Sequence, residues 1–444
     1  YAPVVYIDWN PRAFFALSYV FSPQQAKRHS SLCPNCWLCL GGGNNHRVYY
    51  SASLARIIFR TSSIMMIPKR ILICPQEFKG SLTARDVSHA IAEGVNSVIS
   101  TAHLIIQPLA DGGPGTVDIV GKSAAGRFIT RTVMGPFGES VEARYAIIKN
   151  DTGSSAVIEQ ASVTALAGIP FEELNPTKAT SYGVGQIILD AVQQGVNEII
   201  LGVGGTCTND GGAGAAQALG LGLLDPAGVE LPNHPLHLVR LEKIIPSSNE
   251  KLNQIQLRIA VDVLNLLLGP TGATSIFGPQ KGMRDWQAPA LEEALAIFAN
   301  QISVDLNIDI AERDGTGAGG GLPCGLIAAM PETTIESGAS LVSDAVHLEA
   351  QMSGMDLVIT GEGSLDSQTS YGKAVSHVLA LAKNANIPCI AIAGQVTEMP
   401  KFLQDAEPLV SQFATDDDIE HAMTHASDRV TIATKTLIKR YCGL

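Results

Sequence analysis

The strongest constraint on this fold is a pattern that recurs along the chain: an apolar run ends in a polar, glycine-rich loop, and a helix-favouring stretch follows. The densest example is Ile199-Ile200-Leu201-Gly202-Val203, then Gly204-Gly205-Thr206-Cys207-Thr208-Asn209-Asp210-Gly211-Gly212, then small residues from Ala213 to Leu219. That order predicts a strand, a loop and a helix start. Glycines let backbone N–H groups approach a ligand at positive φ, and a helix N-terminus adds partial positive charge. The loop therefore reads as an anion cradle, with Asn209 and Asp210 able to hold a hydroxyl or a metal.

The pattern repeats on both sides of this loop. Lys69 to Cys74 reads as a buried strand stopped by Pro75, and Thr83-x-x-Asp86 resembles a capping box opening a helix that carries Val87, Ile91, Val95 and Val98 at helical spacing. Leu104 to Leu109 runs into Ala110-Asp111-Gly112-Gly113-Pro114-Gly115-Thr116, Leu357 to Thr360 into Gly361-Glu362-Gly363-Ser364-Leu365-Asp366, and Cys389 to Ala393 into Gly394-Gln395. Residues 126–160 change to short β-rich pieces of hairpin type. Strands alternating with helices predict an α/β architecture, in which ligands gather at the carboxyl edge of an open sheet.

The 444 residues, 46% hydrophobic and only 16% charged, leave room for two domains with substantial cores. A net charge of −12 lacks the basic face that nucleic acid or an anionic membrane needs, so an anionic substrate must be met by a local pocket. Of the eight cysteines, Cys74, Cys207, Cys324 and Cys389 sit in apolar or glycine-rich segments and read as reduced thiols, which points to the cytoplasm.

Residues 1–65 belong to a different regime. They hold six Lys or Arg against one acid, Asp8, and 11 aromatic residues. Cys33-x-x-Cys36-x-x-Cys39 has no fourth ligand at a usual metal-site spacing. Neither a signal peptide nor a membrane span is recognisable there. The expectation is that the biological start is Met65 or Met66 and that 1–65 is a non-family extension.

Five acids in strand-end loops, Asp111, Asp210, Asp262, Glu362 and Asp366, match what phosphoryl transfer requires: carboxylates for Mg²⁺ and one to orient the attacking hydroxyl. The same residue types also cap helices and close turns. Lys79, Lys281 and Lys373 stand beside glycines as candidate cations, against the alternative of solvated surface lysines. No G-x-x-x-x-G-K-[ST] motif and no protein-kinase loop set occurs, and Gly315-x-Gly317-x-x-Gly320 lacks a leading strand, which favours a flexible loop or a close backbone approach. His421 and His425 lack the H-E-x-x-H glutamate, and G-x-S-x-G is absent.

From about Met66 onward the chain resembles the bacterial two-domain glycerate kinase family, of the D-glycerate 2-kinase type. The resemblance is carried, in order, by Phe78-Lys79-Gly80-Ser81-Leu82, Ala110-Asp111-Gly112-Gly113-x-Gly115-Thr116, Ser181-Tyr182-Gly183-x-Gly185, Gly204 to Gly214, Phe277-Gly278-Pro279-Gln280-Lys281-Gly282, and Leu357-Val358-Ile359-Thr360-Gly361-Glu362-Gly363-x-x-Asp366-x-Gln368-Thr369. It departs from the family pattern at Gln76 and Glu77, where Asp-Ser is usual, at Pro114, where Glu is usual, and at Leu266, where Pro is usual.

The resemblance implies a discontinuous Rossmann-like domain with a second α/β domain inserted: residues 66–115 with 326–444, and 116–325. It implies ATP- and Mg²⁺-dependent phosphorylation of D-glycerate to 2-phosphoglycerate, with the 3-phosphate as the alternative product and a homodimer as an open assembly. Asp210 or Asp111 is then expected at the glycerate hydroxyl as base or orienting group, with Lys79 as the third catalytic residue. Gly112, Gly113, Gly204, Gly205, Thr206, Asn209, Gly211, Gly212, Lys281, Asn265 and Lys373 are expected to bind substrate or phosphate. Asp262, Glu362 and Asp366 are expected near the metal. The competing class is a non-catalytic or redox nucleotide-binding α/β protein.

Overall fold

The computed structural model describes residues 67–150, 153–366, 374–411 and 413–444, together with the paths of two short antiparallel strands, β1 (Trp37–Gly41) and β2 (Arg47–Ser51). Cys33, Cys36, Gln368, Thr369 and Lys373 lie outside the described residues. Within 68–442, which form one compact unit, two sheets carry the fold.

The smaller sheet is wholly parallel, in the order β15 (Asp405–Pro408), β14 (Cys389–Val396), β13 (Leu357–Leu365), β3 (Arg70–Ile73), β4 (His103–Ile106). Both ends of the unit 68–442 build it, as the discontinuous α/β reading expects. Its central strands β3, β13 and β14 are largely apolar because both faces are covered there. Alternation along each strand then divides the side chains. Ile71, Ile73, Leu357, Ile359, Ile390 and Ile392 pack under helices Ala84–Asn96 and Ala426–Cys442. Leu72, Val358, Cys389 and Ala391 turn to the opposite face, towards Val342 of helix Gly338–Ala345 and Val375 of helix Ala374–Asn384. Each fully buried Ile, Leu or Val among them contributes ~1.5–3 kcal/mol.

The helix expected from Thr83-x-x-Asp86 starts there. The Asp86 N–H donates to Thr83 Oγ1 at 3.2 Å, and the Thr83 hydroxyl donates back to Asp86 Oδ2 at 2.7 Å.

The larger sheet runs β12 (Thr333–Ser337), β11 (Gln256–Val261), β8 (Glu198–Gly202), β7 (Gly153–Glu159), β6 (Ser140–Asn150), β5 (Arg127–Met134). The first four are mutually parallel and the last three form the expected antiparallel hairpins. A separate antiparallel pair joins β9 (Gly222–Leu224) to β10 (Lys243–Ile245). Because β12 pairs with β11, a boundary drawn by sheet membership runs just past Ser337. Ala146, Ile148 and Val157 of the larger sheet share a core with Leu72 and Val358 of the smaller, bridged by Val117 and Val120 of helix Thr116–Ser123.

One element is longer than its sequence indicates. Gly361-Glu362-Gly363 reads as a loop, yet β13 continues to Leu365, paired with β14 as far as Val396. Gly361 and Gly394 make this extension possible: the Ile392 and Gly363 carbonyl oxygens occupy the space their side chains would need. Among the described residues no helix is long and apolar enough to cross a membrane.

Candidate active site

The carboxyl ends of the two sheets meet at the loop after β4. Asp111 and Gly112 press their carbonyl groups against Gly338 and Gly202, which stand just past β12 and at the last residue of β8. Neither glycine has room for a side-chain carbon, because the Asp111 and Gly112 carbonyl oxygens fill that space. Gly112 in turn lies against Ala260 of β11, and Gly113 beside Gly204. Three parallel strands of one sheet thus end on a loop that belongs to the other.

Asp111 is held within this loop by its own backbone: the Gly113 N–H donates to Asp111 Oδ1 at 3.1 Å. Asp111 also lines a cavity of about 1020 Å³ together with Gln76, Glu77, Pro114, Asp118 and Lys122. The Glu77 carboxyl is held above its ordinary range, first by burial and then by the Asp111 charge, with Lys79 pulling the other way. Glu77, Lys79 and Asp111 are therefore electrostatic neighbours. Lys79 is exposed, and its backbone passes beside Gly363, while the Gln76 N–H donates to the Gly361 carbonyl at 2.8 Å. Glu362, on β13, is thereby brought alongside the segment 76–79.

The Gly204–Gly212 loop is built differently. Asp210 is 2% exposed, and its carboxylate is surrounded by donors. Oδ2 accepts from the Ser181 N–H and hydroxyl, each at 2.7 Å, and from the Gly214 N–H at 3.3 Å, while Oδ1 accepts from the Gly212 N–H at 3.1 Å. Burial raises this carboxyl and the same hydrogen bonds oppose that rise. Its geometry is that of a group closing the turn into helix Ala213–Ala218. Asn209, fully buried, donates through Nδ2 to Thr274 Oγ1 at 3.0 Å, and its Oδ1 has no hydrogen-bond partner among the described residues. Thr206 links Thr164 and Thr208 through hydroxyl contacts of 2.8 and 3.0 Å.

Against this loop lies Gly319-Gly320-Gly321, with φ of 56°, 75° and 85°. The Gly211 N–H donates to the Gly320 carbonyl, and the Gly325 N–H to the Gly211 carbonyl, each at 2.9 Å. At Gly320 the Thr208 carbonyl oxygen takes the place of a Cβ. Gly320, the last glycine of Gly315-x-Gly317-x-x-Gly320, is thus a close backbone approach.

The other expected residues are placed variously, Lys281 against the glycine loop itself. Lys281 is 2% exposed and donates from Nζ to the Thr208 carbonyl at 2.6 Å. Asn265 donates to the Thr271 carbonyl at 2.7 Å, within its own loop. Asp262 follows β11, Glu362 sits within β13 and Asp366 just past it. Among the described residues no three His, Cys, Asp or Glu side chains gather into a metal-holding group.

Two buried residues at the end of β7 were not foreseen. Glu159 accepts from the Val117 N–H at 2.6 Å, and burial, only partly offset by that bond, raises its carboxyl. Gln160 donates through Nε2 to Thr208 Oγ1 at 3.3 Å and to the Gly319 carbonyl at 2.9 Å. For Glu159 the signal was available: an acid directly follows the apolar run Ala156-Val157-Ile158, as at the other strand ends.

Comparison with known proteins agrees with the motif order. The profile of the Glycerate kinase family matches residues 71–442. A glycerate kinase from Halalkalibacterium halodurans is 41% identical over 327 residues, covering 73% of this chain and 85% of that protein. A glycerate 2-kinase from Escherichia coli is 38% identical over 330 residues, 74% of this chain and 86% of the relative. A crystal structure from Salmonella typhimurium LT2 carrying the name glycerate kinase 2 superposes with a TM-score of 0.72 at 37% identity, covering 84% of this chain and 97% of that one.

Proposed function

Because this chain belongs to the glycerate kinase family, we propose that it transfers the γ-phosphoryl group of ATP to a hydroxyl of D-glycerate at the junction built around Asp111. The observation that carries the site assignment is the convergence of strand ends from both sheets on the Asp111–Gly113 loop. Parallel α/β sheets bind ligands at that edge, and two such edges facing one another can bring donor and acceptor together. The name glycerate 2-kinase on the Escherichia coli relative supports the 2-hydroxyl as acceptor.

Phosphoryl transfer demands alignment and charge stabilisation more than covalent chemistry from the protein. Asp111 receives the proton of the acceptor hydroxyl or orients that hydroxyl; the bond from Gly113 fixes the direction of its carboxylate. Lys79, exposed beside the junction, holds the glycerate carboxylate or a phosphate oxygen. The backbone of Gly204–Gly212 forms the anion cradle, and Asp210 keeps that backbone in shape rather than acting as the base. Asp262, Asn265, Glu362 and Asp366 remain candidates for contacts made as the site fills.

Mg²⁺ fits the Glu77–Asp111 pair. Mg²⁺ bound with nucleotide phosphates needs only one or two protein carboxylates, and two acids crowded against a large cavity supply them. When bound, the ion would neutralise charge on the phosphate oxygens. Glu77→Gln is expected to raise the Mg²⁺ concentration for half-maximal turnover by about tenfold. An unchanged Mg²⁺ requirement in that variant removes Glu77 from the metal site.

The reading is tested by coupled ADP release with ATP, Mg²⁺ and a panel of D-glycerate, L-glycerate, hydroxypyruvate and tartronate. Release dependent on D-glycerate is expected. Binding of ATP with no acceptor-dependent release across the panel would instead favour a nucleotide-binding protein.

A further inference from the structure

We infer that Lys281 is a positioning residue for this reaction: from beneath the glycine loop it holds the Thr208 carbonyl, and so sets the direction in which the loop's N–H groups meet a substrate anion. The inference rests on the kinase reading above, which supplies the anion, and it changes the part Lys281 plays. The sequence motif suggested that this lysine touches phosphate or carboxylate itself. At 2% exposure the ammonium is instead packed inside, behind the loop.

The geometry begins with the turn Pro279–Lys281, which directs the side chain inward, and ends with Nζ donating to the Thr208 carbonyl at 2.6 Å. A trans peptide points its C=O and the following N–H in opposite directions. Drawing the Thr208 carbonyl towards Lys281 therefore turns the Asn209 N–H to the opposite side. Among the described residues no group accepts from that N–H, and Asn209 Oδ1 is likewise buried without a partner. Buried polar groups rarely stay unsatisfied; the N–H calls for an acceptor such as an anion's oxygen and Oδ1 for a donor such as a hydroxyl, and both on one residue of the loop point to a ligand that carries both.

Thr208 is gripped from a second side, since Gln160 Nε2 donates to its hydroxyl and to the Gly319 carbonyl. Lys281 and Gln160 together leave the peptide little freedom to flip. A hydrogen bond from a charged donor in a water-free setting is the stronger of the two restraints.

The groups facing the Lys281 ammonium are Cys207 and Asp210. Burial pushes the Cys207 thiol up to about 12, so it stays neutral, and Asp210 is occupied by its four donors. Burial brings Lys281 down to about 8. Below that pH the lysine is protonated in both folded and unfolded chains. Between about 8 and its ordinary value near 10.5 the unfolded chain binds the proton more, so the contribution of Lys281 to stability rises with pH. Its hold on the loop weakens over the same interval, because the charge is lost. Stability and catalysis through this residue thus respond to pH with opposite signs, which a purely structural lysine does not do.

The test compares the full chain with Lys281→Met by ADP release between pH 6.5 and 9.5, varying ATP and D-glycerate in turn, alongside thermal melting. Expected is a fall of about 10- to 100-fold in kcat/KM at pH 7 for the substrate whose anion the loop holds, from the size of a charged hydrogen bond. Wild-type kcat/KM should decline above about pH 8 towards the variant's value, while wild-type melting temperature gains on the variant's. A folded variant within about twofold of wild type for both substrates, or parallel pH profiles for the two proteins, overturns the inference.

If Lys281→Met fails to fold, a wild-type kcat/KM that stays flat from pH 7 to 9.5 overturns it. Absence of D-glycerate-dependent ADP release from wild type is a failure of the kinase reading instead. The loop is then still read by the melting shift that ATP or D-glycerate alone produces: a smaller shift in the variant supports the inference and an equal shift overturns it.

Discussion

Asp111→Asn is expected to lower kcat by at least ~10²-fold with little change in melting temperature, the low end for losing a general base. Asparagine keeps the shape of the side chain and an oxygen able to accept from the Gly113 N–H, so the loop between Gly202 and Gly338 can persist. What is lost is the negative charge beside the cavity and the ability to take a hydroxyl proton.

Asp210→Asn should behave in the opposite way. Four donors converge on the Asp210 carboxylate, and an amide nitrogen must face at least one of them. Leaving a buried donor unpaired costs ~1–3 kcal/mol, and more where a charged acceptor is replaced. The melting temperature is expected to fall, with any loss of turnover following the deformation of the glycine loop. Measured kcat and melting curves on both variants separate the roles. A stable Asp210→Asn that loses ~10²-fold in kcat, beside an active Asp111→Asn, would reverse them.

The second large effect is expected at Gly320. Its φ of 75° already disfavours any residue with a Cβ, by ~1–2 kcal/mol, and the Thr208 carbonyl oxygen occupies the site that Cβ would take. Because the obstacle is backbone, Gly320→Ala must displace either the glycine triplet or the anion loop. A loss of ~4 kcal/mol or more of stability, or a folded enzyme with severely weakened substrate binding, is the expected result. Gly195 is the matched control. It has a similar φ of 81° but nothing within 4 Å of the point where a Cβ would stand, so Gly195→Ala should cost only the conformational strain, ~1–2 kcal/mol. Equal denaturation midpoints for the two variants would remove the case for interlocked loops.

Much of this architecture was legible because its signals are local. Apolar runs such as Ile71-Leu72-Ile73 and Ile199-Ile200-Leu201 form buried parallel strands, and glycines mark where those strands stop. The meeting of Asp111 with Gly202 and Gly338 was not legible, since it joins loops about 90 and 230 residues apart and depends on two absent side chains. Asp210 shows the same limit in chemistry. Its sequence neighbourhood suits a base, a metal ligand or a turn-closing group equally well, and only the Ser181 donors, brought from another segment, separate them. Glu362 was misjudged as a loop residue because its flanking glycines, ordinarily strand breakers, here permit close contact with β14. Gln160 carries no local mark at all; its importance comes from spanning Thr208 and Gly319.

The most direct test of the central claim is ³¹P NMR of the full chain incubated with ATP, Mg²⁺ and D-glycerate. The account predicts one new phosphomonoester resonance, that of 2-phosphoglycerate, growing in step with ADP and absent when glycerate is omitted. ADP with inorganic phosphate alone, or an unchanged ATP spectrum, would contradict it.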